Sequence, residues 1–320
     1  MTVKESILRK INQSGRIGIF CHTNPDADTI GSALALRIYL EKEGKKADVY
    51  CDSDISSALL FLKGAKEIKK EGAEKYDLHI ALDCGDRFRF GDLTGFFFCN
   101  GNTINIDHHH LSNDGYAQLN WVEARASTSE MIYELLEYGG KGLDNDAAEC
   151  LMAGILTDTN SFTNSNTDSR VMMTAAKLVD RVDINELSYR LLKNMSYEYA
   201  KLKGKAEARM RRYFDGRMTL IYMLEKEYTE AGLARSEIKG LVDSALRVEG
   251  TLIAVSVLQT GENKFDISMR GRKNTDVSKV CLSFGGGGHR VASGCVINGF
   301  FEDVVDKIVR AVRIEGVLDA

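Results

Sequence analysis

Acids and imidazoles recur where apolar runs end. RIGIFC (16–21) runs into HTNPDADTIGS, which sets His22, Asp26 and Asp28 within seven residues. Pro25 fixes its own φ in that segment, and aspartates two apart on an extended or turning stretch can aim at neighbouring positions. An Asx-turn with an N-cap accounts for one of these aspartates, but not for both together with His22. LHIALD (78–83) closes on Asp83. TINID (103–107) closes on Asp107, followed by His108, His109 and His110, and GILTDTNSF carries Asp158 after an apolar helix or short strand. Any one strand-end carboxylate reads equally well as a cap. His79 lies inside an apolar run and reads as a core histidine.

Taken together, His22, Asp26, Asp28, Asp83, His108 and Asp158 form an oxygen-and-imidazole ligand set. Such a set suits Mn²⁺ or a similar divalent ion, whereas structural zinc calls for thiolates. Six ligands are too many for one catalytic ion with an open position. They fit two ions sharing a carboxylate at the ~3.5–4 Å separation used in phosphoryl transfer. Cys21 and Cys84, beside the cluster, read as packing. Gly31 and Ser32 fall where a helix begins, and free amides there can accept an anion. A second candidate site is FGGGGHRVASG (284–294), whose glycines let backbone approach a ligand closely. It lacks the Gly-Lys-Ser/Thr element of a phosphate loop and the βαβ start of a dinucleotide site. A flexible turn is an equal reading, although Arg270 and Arg272 in the upstream SMRGR favour a phosphate ligand.

These residues need a scaffold, and the first half of the chain supplies one. RIGIFC, ADVY (47–50), LHIALD, FFFC (96–99) and TINID are candidate strands. Helical periods cover 30–44, 127–139, 146–156 and 168–181. Strands alternating with amphipathic helices imply an α/β fold with a largely parallel sheet, which binds ligands at its strands' carboxyl ends. A polar helical pattern over 184–213 leads to a second, smaller mixed α/β region. That region holds a strand at 218–224, a helix at 234–248, a hairpin from 251–259 and 264–271, a short helix near 275–282, a strand at 295–298 and a closing helix at 301–314.

The chain of 320 residues is longer than single cores usually grow, so two domains are expected. A net charge of -4 argues against a grip on long nucleic acid. Residues 201–217 are locally basic, and a solvated helix face is the favoured reading over a phosphate track. Seven cysteines without a CxxC pair read as thiols of a reducing compartment. The N-terminus has no signal-peptide run and no segment reaches a membrane span, so a cytoplasmic location without membrane attachment is expected. No oligomeric state is fixed; a homodimer is compatible.

HTNPDAD, Asp83, the Asp107-His108-His109 triplet and Asp158 resemble the four motifs of the DHH phosphoesterase superfamily. GGGGHRVASG with SMRGR resembles its DHH-associated C-terminal domain. The resemblance covers almost the whole chain and implies a catalytic domain over 1–185, a linker helix over 186–214 and a substrate-binding domain over 215–320. It implies that His22, Asp26 and Asp83 hold a first cation, and that Asp28, Asp83, His108 and Asp158 hold a second, with Asp83 bridging. Asp107 would orient a histidine ligand, and His109 would face the scissile phosphate. Arg270, Gly287, Gly288 and His289 would receive a terminal phosphate or nucleotide backbone. The implied activity is hydrolysis of short RNA to mononucleotides and of 3′-phosphoadenosine 5′-phosphate to AMP. Cyclic or linear dinucleotide hydrolysis is the alternative within that chemistry. A nucleotide-binding regulatory module is the rival outside it, and its expected sign is a lost metal ligand. None is lost.

Overall fold

Five-residue apolar runs with little polar interruption build a sheet that is buried on both faces. In the computed structural model, which describes residues 1–72, 75–110, 113–140, 142–272 and 274–318, the chain forms two compact units, Met1–Asn194 and Met195–Ala320. The fold is α/β: a parallel-sheet unit and a unit built on a mixed sheet.

The first unit opens with α1 (Val3–Gln13), β1 (Arg16–Phe20), α2 (Ala27–Lys42) and β2 (Lys46–Tyr50). It continues through β3 (Leu78–Leu82), α3 (Thr94–Phe98), β4 (Thr103–Asp107) and β5 (Leu119–Val122). Helices α4 (Thr128–Gly139), α5 (Asn145–Asp158), α6 (Ser169–Leu178) and α7 (Ile184–Ser188) complete it. The strands lie in the order β2-β1-β3-β4-β5, all parallel. That order reverses between β1 and β3, and open parallel sheets carry their ligand crevice at such a reversal. The strands leading to His22, Asp83 and His108 are therefore three neighbours with their carboxyl ends on one edge. Above that edge α2 and α5 pack so closely that a Cβ on Gly31 would lie 2.2 Å from the Cys150 carbonyl oxygen.

Local chemistry explains where the sequence pattern misled. The charged N-terminus, read as no element, is a helix with a Thr2–Glu5 capping box and a buried Ile7–Ile11 stripe. FFFC, read as a strand, forms α3, with Phe97 buried and stacked on Phe90 at 4.6 Å. A short apolar run carries no period that separates strand from helix. The strand LNWV (119–122) was too short and polar to be seen.

The second unit contains α8 (Tyr197–Ala208), β6 (Arg211–Tyr213), β7 (Met218–Met223), α9 (Glu225–Glu230) and α10 (Leu241–Leu246). After these come β8 (Ile253–Gly261), β9 (Lys264–Gly271), α11 (Val277–Ser283), β10 (Gly287–His289), β11 (Ala292–Asn298) and α12 (Phe301–Ile314). Its sheet runs β10-β11-β9-β8-β7-β6, antiparallel except between β7 and β8. One core lies between the sheet and α11 and α12, around Val255, Ile267, Val280 and Ile308; another gathers Leu202, Ile221, Val242 and Ala254.

The helical pattern over 184–213 is not one linker helix. It ends after residue 193 and restarts where Ser196 caps α8 through the Tyr199 N–H, and residues 211–213 are a strand. The helix expected over 234–248 is cut by Gly240 at φ +68, leaving α10. In the basic stretch, Arg209 pairs with Glu227 and Arg211 takes both oxygens of Glu302. These guanidiniums are spent on the fold. Among the described residues no helix is long and apolar enough to cross a membrane.

Candidate metal centre

Each candidate ligand is placed by a specific local device. Beyond β3 the chain turns at Asp83 with φ 61, a left-handed conformation that costs a non-glycine residue energy and that aspartate tolerates better than most. The turn leaves the Asp83 carboxylate 1% exposed at the strand's end. After β1, Asp26 caps α2, its Oδ1 accepting the N–H groups of Asp28 at 3.0 Å and Thr29 at 3.1 Å. The helix thus fills its own anion position. The anion site expected at Gly31 and Ser32 is absent for that reason: Gly31 lies a turn inside the helix, against α5.

Asp28, fully buried, points elsewhere. Its Oδ2 accepts the Thr128 N–H at 2.6 Å and its Oδ1 the Ser129 N–H at 2.9 Å, so it sits on the N-terminus of α4. The sequence reading missed this support, because backbone amides carry no side-chain signature. The traceable signal was Ser127…Glu130, the cap of α4, in which the Ser127 hydroxyl accepts the Glu130 N–H.

The six expected ligands converge, together with His109, into overlapping sets, the candidate atoms within each set lying within 4.8 Å of one another: His22, Asp26 and Asp83; Asp28, His108 and Asp158; Asp83, His108 and His109. His22 Nε2 lies 3.5 Å from Asp83 Oδ2 and 3.8 Å from Asp26 Oδ2. His108 Nε2 lies 3.4 Å from Asp83 Oδ1 and 3.3 Å from Asp158 Oδ2. The two oxygens of Asp83 therefore face different sets. Oδ1 also accepts the Thr128 hydroxyl at 3.0 Å.

The imidazoles are oriented from behind. His22 Nδ1 is 2.8 Å from the Thr23 carbonyl and His108 Nδ1 is 3.3 Å from the Arg125 carbonyl. A proton donated from Nδ1 leaves each Nε2 lone pair toward the acids, the usual arrangement behind a metal-binding histidine. Arg125 is held by Glu123, Glu130 and Glu134. Asp107 serves His109 instead: its Oδ1 is 2.8 Å from His109 Nδ1, and its Oδ2 accepts the Asn113 amide at 2.7 Å. His110 is exposed. His79 is buried against the Phe97 carbonyl, a core histidine as expected. Cys21 and Cys84 are buried with thiols on backbone carbonyls.

Burial and mutual repulsion set the protonation of this cluster. Burial, then the neighbouring Asp83, pushes the Asp28 carboxyl up to about 7. Burial and Asp28 raise Asp158 well above the carboxylate range. Burial acts upward on Asp83 too, but His108 and His22 outweigh it and hold that carboxyl low. For His108, burial acts downward and is outweighed by Asp83, Asp28 and Asp158. His108 Nε2 is buried and makes no hydrogen bond among the described residues. Clustered buried acids, histidine Nε2 atoms aimed among them and no lysine or arginine in the sets are what divalent cations satisfy. The residues fit them.

In the second unit Ala292 pairs with Arg270 on one side and His289 on the other. Directly opposed residues share a face, so Arg270 and His289 flank one row with Cα atoms ~10 Å apart. The glycine run begins as a turn, with Gly285 at φ 74, and its last two members, Gly287 and Gly288, enter strand β10. Gly287 is open, while a Cβ on Gly288 would lie 2.6 Å from the Ala292 carbonyl oxygen.

A parallel α/β unit with acids and imidazoles gathered at its strand reversal, followed by a mixed-sheet unit with a glycine strand, defines a class. Residues 16–155 match the DHH family, N-terminal domain, and residues 218–314 match the DHHA1 domain. The chain belongs to the DHH family. It is 31% identical over 307 residues to the bifunctional oligoribonuclease and PAP phosphatase NrnA of Thermus thermophilus, covering 94% of this chain and 90% of that one. Its fold is that of an exopolyphosphatase-related protein from Bacteroides fragilis, with TM-score 0.92, 22% identity and coverage of 99% and 97%. RecJ of Thermus thermophilus, solved in complex with Mn²⁺, shares the fold at TM-score 0.54 and 14% identity, covering 97% of this chain and 54% of RecJ.

Proposed function

We propose that this chain is a two-cation phosphoesterase that hydrolyses short oligoribonucleotides to mononucleotides and 3′-phosphoadenosine 5′-phosphate to AMP. The observation that carries this reading is Asp83, whose two carboxylate oxygens each face a separate histidine-containing set. His22, Asp26 and Asp83 would hold one cation; Asp28, Asp83, His108 and Asp158 would hold the other, with Mn²⁺ suiting the mixed ligands. Bound there, the cations would supply Lewis-acid polarisation of the phosphoryl group and a lowered pKa for water.

The protein's own groups do the positioning. Helix α4 clamps Asp28 by two N–H groups, and the Thr128 hydroxyl fixes Asp83. His109, steadied through Nδ1 by Asp107, would donate from its other nitrogen to a phosphoryl oxygen as charge develops there. In the second unit, Arg270, Gly287, Gly288 and His289 would hold a terminal phosphate, consistent with the shared face of Arg270 and His289. The reading divides the chain into a catalytic domain (1–185) and a substrate-binding domain (215–320), and places the protein in the cytoplasm. The seven free cysteines support that location.

The test is a rate comparison on an RNA dinucleotide, a five-nucleotide RNA, 3′-phosphoadenosine 5′-phosphate and cyclic di-AMP, each with Mn²⁺, Mg²⁺ and chelator. The first three are turned over with Mn²⁺ and none with chelator. Cyclic di-AMP outpacing all three, or hydrolysis that survives chelation, would contradict the reading.

A further inference from the structure

Asp83 is followed by a loop, residues 84–91, that is pinned along its length. The Tyr116 hydroxyl and the Asn113 amide donate to the Cys84 carbonyl, at 2.9 and 3.3 Å. The Thr23 N–H donates to the Arg89 carbonyl at 2.7 Å, and Phe90 is buried against Phe97. Within the loop Asp86 organises a turn, its Oδ1 accepting the Phe88 N–H at 2.7 Å and its carbonyl accepting the Arg89 N–H at 3.3 Å. A segment held this way has little freedom, yet it leaves Phe88 80% exposed, more than any other phenylalanine among the described residues.

Arg89 is the second anomaly. Its Nη2 lies 3.4 Å from His22 Nδ1. The proton of that nitrogen faces the Thr23 carbonyl at 2.8 Å, so the ring offers the guanidinium no acceptor. Arg87, on the other side of Phe88, is paired with Asp114 at 3.0 Å. Arg89 makes no carboxylate pair among the described residues. A half-buried guanidinium without an acid partner therefore stands beside the His22–Asp26–Asp83 set, next to an exposed ring on a rigid loop.

Guanidinium forks match phosphoryl oxygens, and aromatic rings stack any nucleobase. Adjacent side chains of this length span the distance from phosphate to base in one nucleotide. We propose that Phe88 and Arg89 form a nucleotide-docking element, Arg89 taking a phosphoryl oxygen of the substrate and Phe88 stacking the base of that nucleotide. The element rests on the phosphoesterase reading for the identity of its ligand. It reads the presence of a base rather than its sequence, which suits an enzyme for mixed short RNA.

The test uses the full chain with Phe88→Trp, titrated with AMP and with ribose 5-phosphate, its counterpart without a base. The single native tryptophan, Trp121, is buried, so emission added at position 88 reports the loop. AMP should quench that emission and ribose 5-phosphate should not, and adding Arg89→Ala should move the AMP midpoint by about tenfold. Emission unmoved by millimolar AMP, or quenched equally by both ligands, overturns the proposal. In kinetics, the wild type should prefer an RNA dinucleotide over its abasic analogue by about tenfold, the preference that stacking supports. Phe88→Ala should shrink that ratio to within about twofold and Phe88→Tyr should keep it; an undiminished ratio in Phe88→Ala overturns the stacking role. The titration needs no turnover. A chain that quenches with AMP but hydrolyses nothing would keep the docking element and defeat the phosphoesterase reading.

Discussion

Replacing Gly154 with alanine would place a methyl group 2.1 Å from Ser129 Oγ and 2.5 Å from Asp28 Oδ1. Ordinary contact begins near 3.4 Å, so the carboxylate would have to withdraw by about 1 Å. It has nowhere to go without losing the Thr128 and Ser129 amides, and α2 cannot slide because Gly31 already touches the Cys150 carbonyl. Overpacking of this kind costs ~1–3 kcal/mol, offset by the ~1 kcal/mol that alanine gains over glycine inside a helix. The net loss of about 0–2 kcal/mol corresponds to a Tm decrease of about 0–8 °C for a unit of this size. Function should suffer far more, since a ~1 Å misplacement at a reacting centre costs on the order of 100-fold in rate.

The assay is kcat/KM on an RNA dinucleotide across a Mn²⁺ titration, beside melting curves with and without Mn²⁺. Gly204→Ala is the control: a Cβ there in α8 meets nothing within 4 Å, so its Tm should rise or hold. Wild-type kcat/KM and Mn²⁺ affinity in Gly154→Ala would refute the claim that Asp28 must sit where α4 holds it.

Three further outcomes are expected. Thr128→Val keeps the N–H on Asp28 but removes the hydroxyl from Asp83, costing ~1–2 kcal/mol and so about tenfold in Mn²⁺ affinity or kcat/KM, with Thr128→Ser restoring it; equal activity in the valine variant would remove Thr128 from the account. Asp28 titrates at about 7 without metal, and Asp158, His22 and His108 are all shifted upward, so the metal-free centre holds protons at pH 7 that a cation must displace. Calorimetry in buffers of different ionisation enthalpy should show about one or more protons released per chain, and affinity falling as pH falls; a buffer-independent enthalpy would contradict this. Arg270→Ala should raise KM for a dinucleotide about tenfold with a smaller effect on kcat, and unchanged KM and kcat/KM would exclude its phosphate contact.

The candidate site was legible because its acids and imidazoles announce themselves: an apolar run stops, and an acid or imidazole follows at the edge where parallel strands end. Asp83 and Asp107 follow that rule directly, and Asp158 follows it from the end of a helix. What could not be read were the groups that act through backbone. The Thr128 and Ser129 amides and the Arg125 carbonyl support Asp28 and His108 whatever side chains those positions carry. Gly154 is similar, since its role is the absence of atoms beside Asp28. Asp107 was expected to steady a metal-binding histidine and is found on His109, a choice that only the turn after β4 decides. FFFC shows the limit for elements: its rings settle into a helix against Phe20 and Phe90, contacts no local pattern contains.

Electron paramagnetic resonance of the Mn²⁺-loaded chain, paired with metal analysis, probes the shared carboxylate most directly. Two Mn²⁺ per chain with a spin-coupled signal, reverting in Asp83→Asn to isolated six-line Mn²⁺ or to fewer ions, is the expected result. A single ion, or two uncoupled ions, in an active wild-type chain would contradict the paired centre.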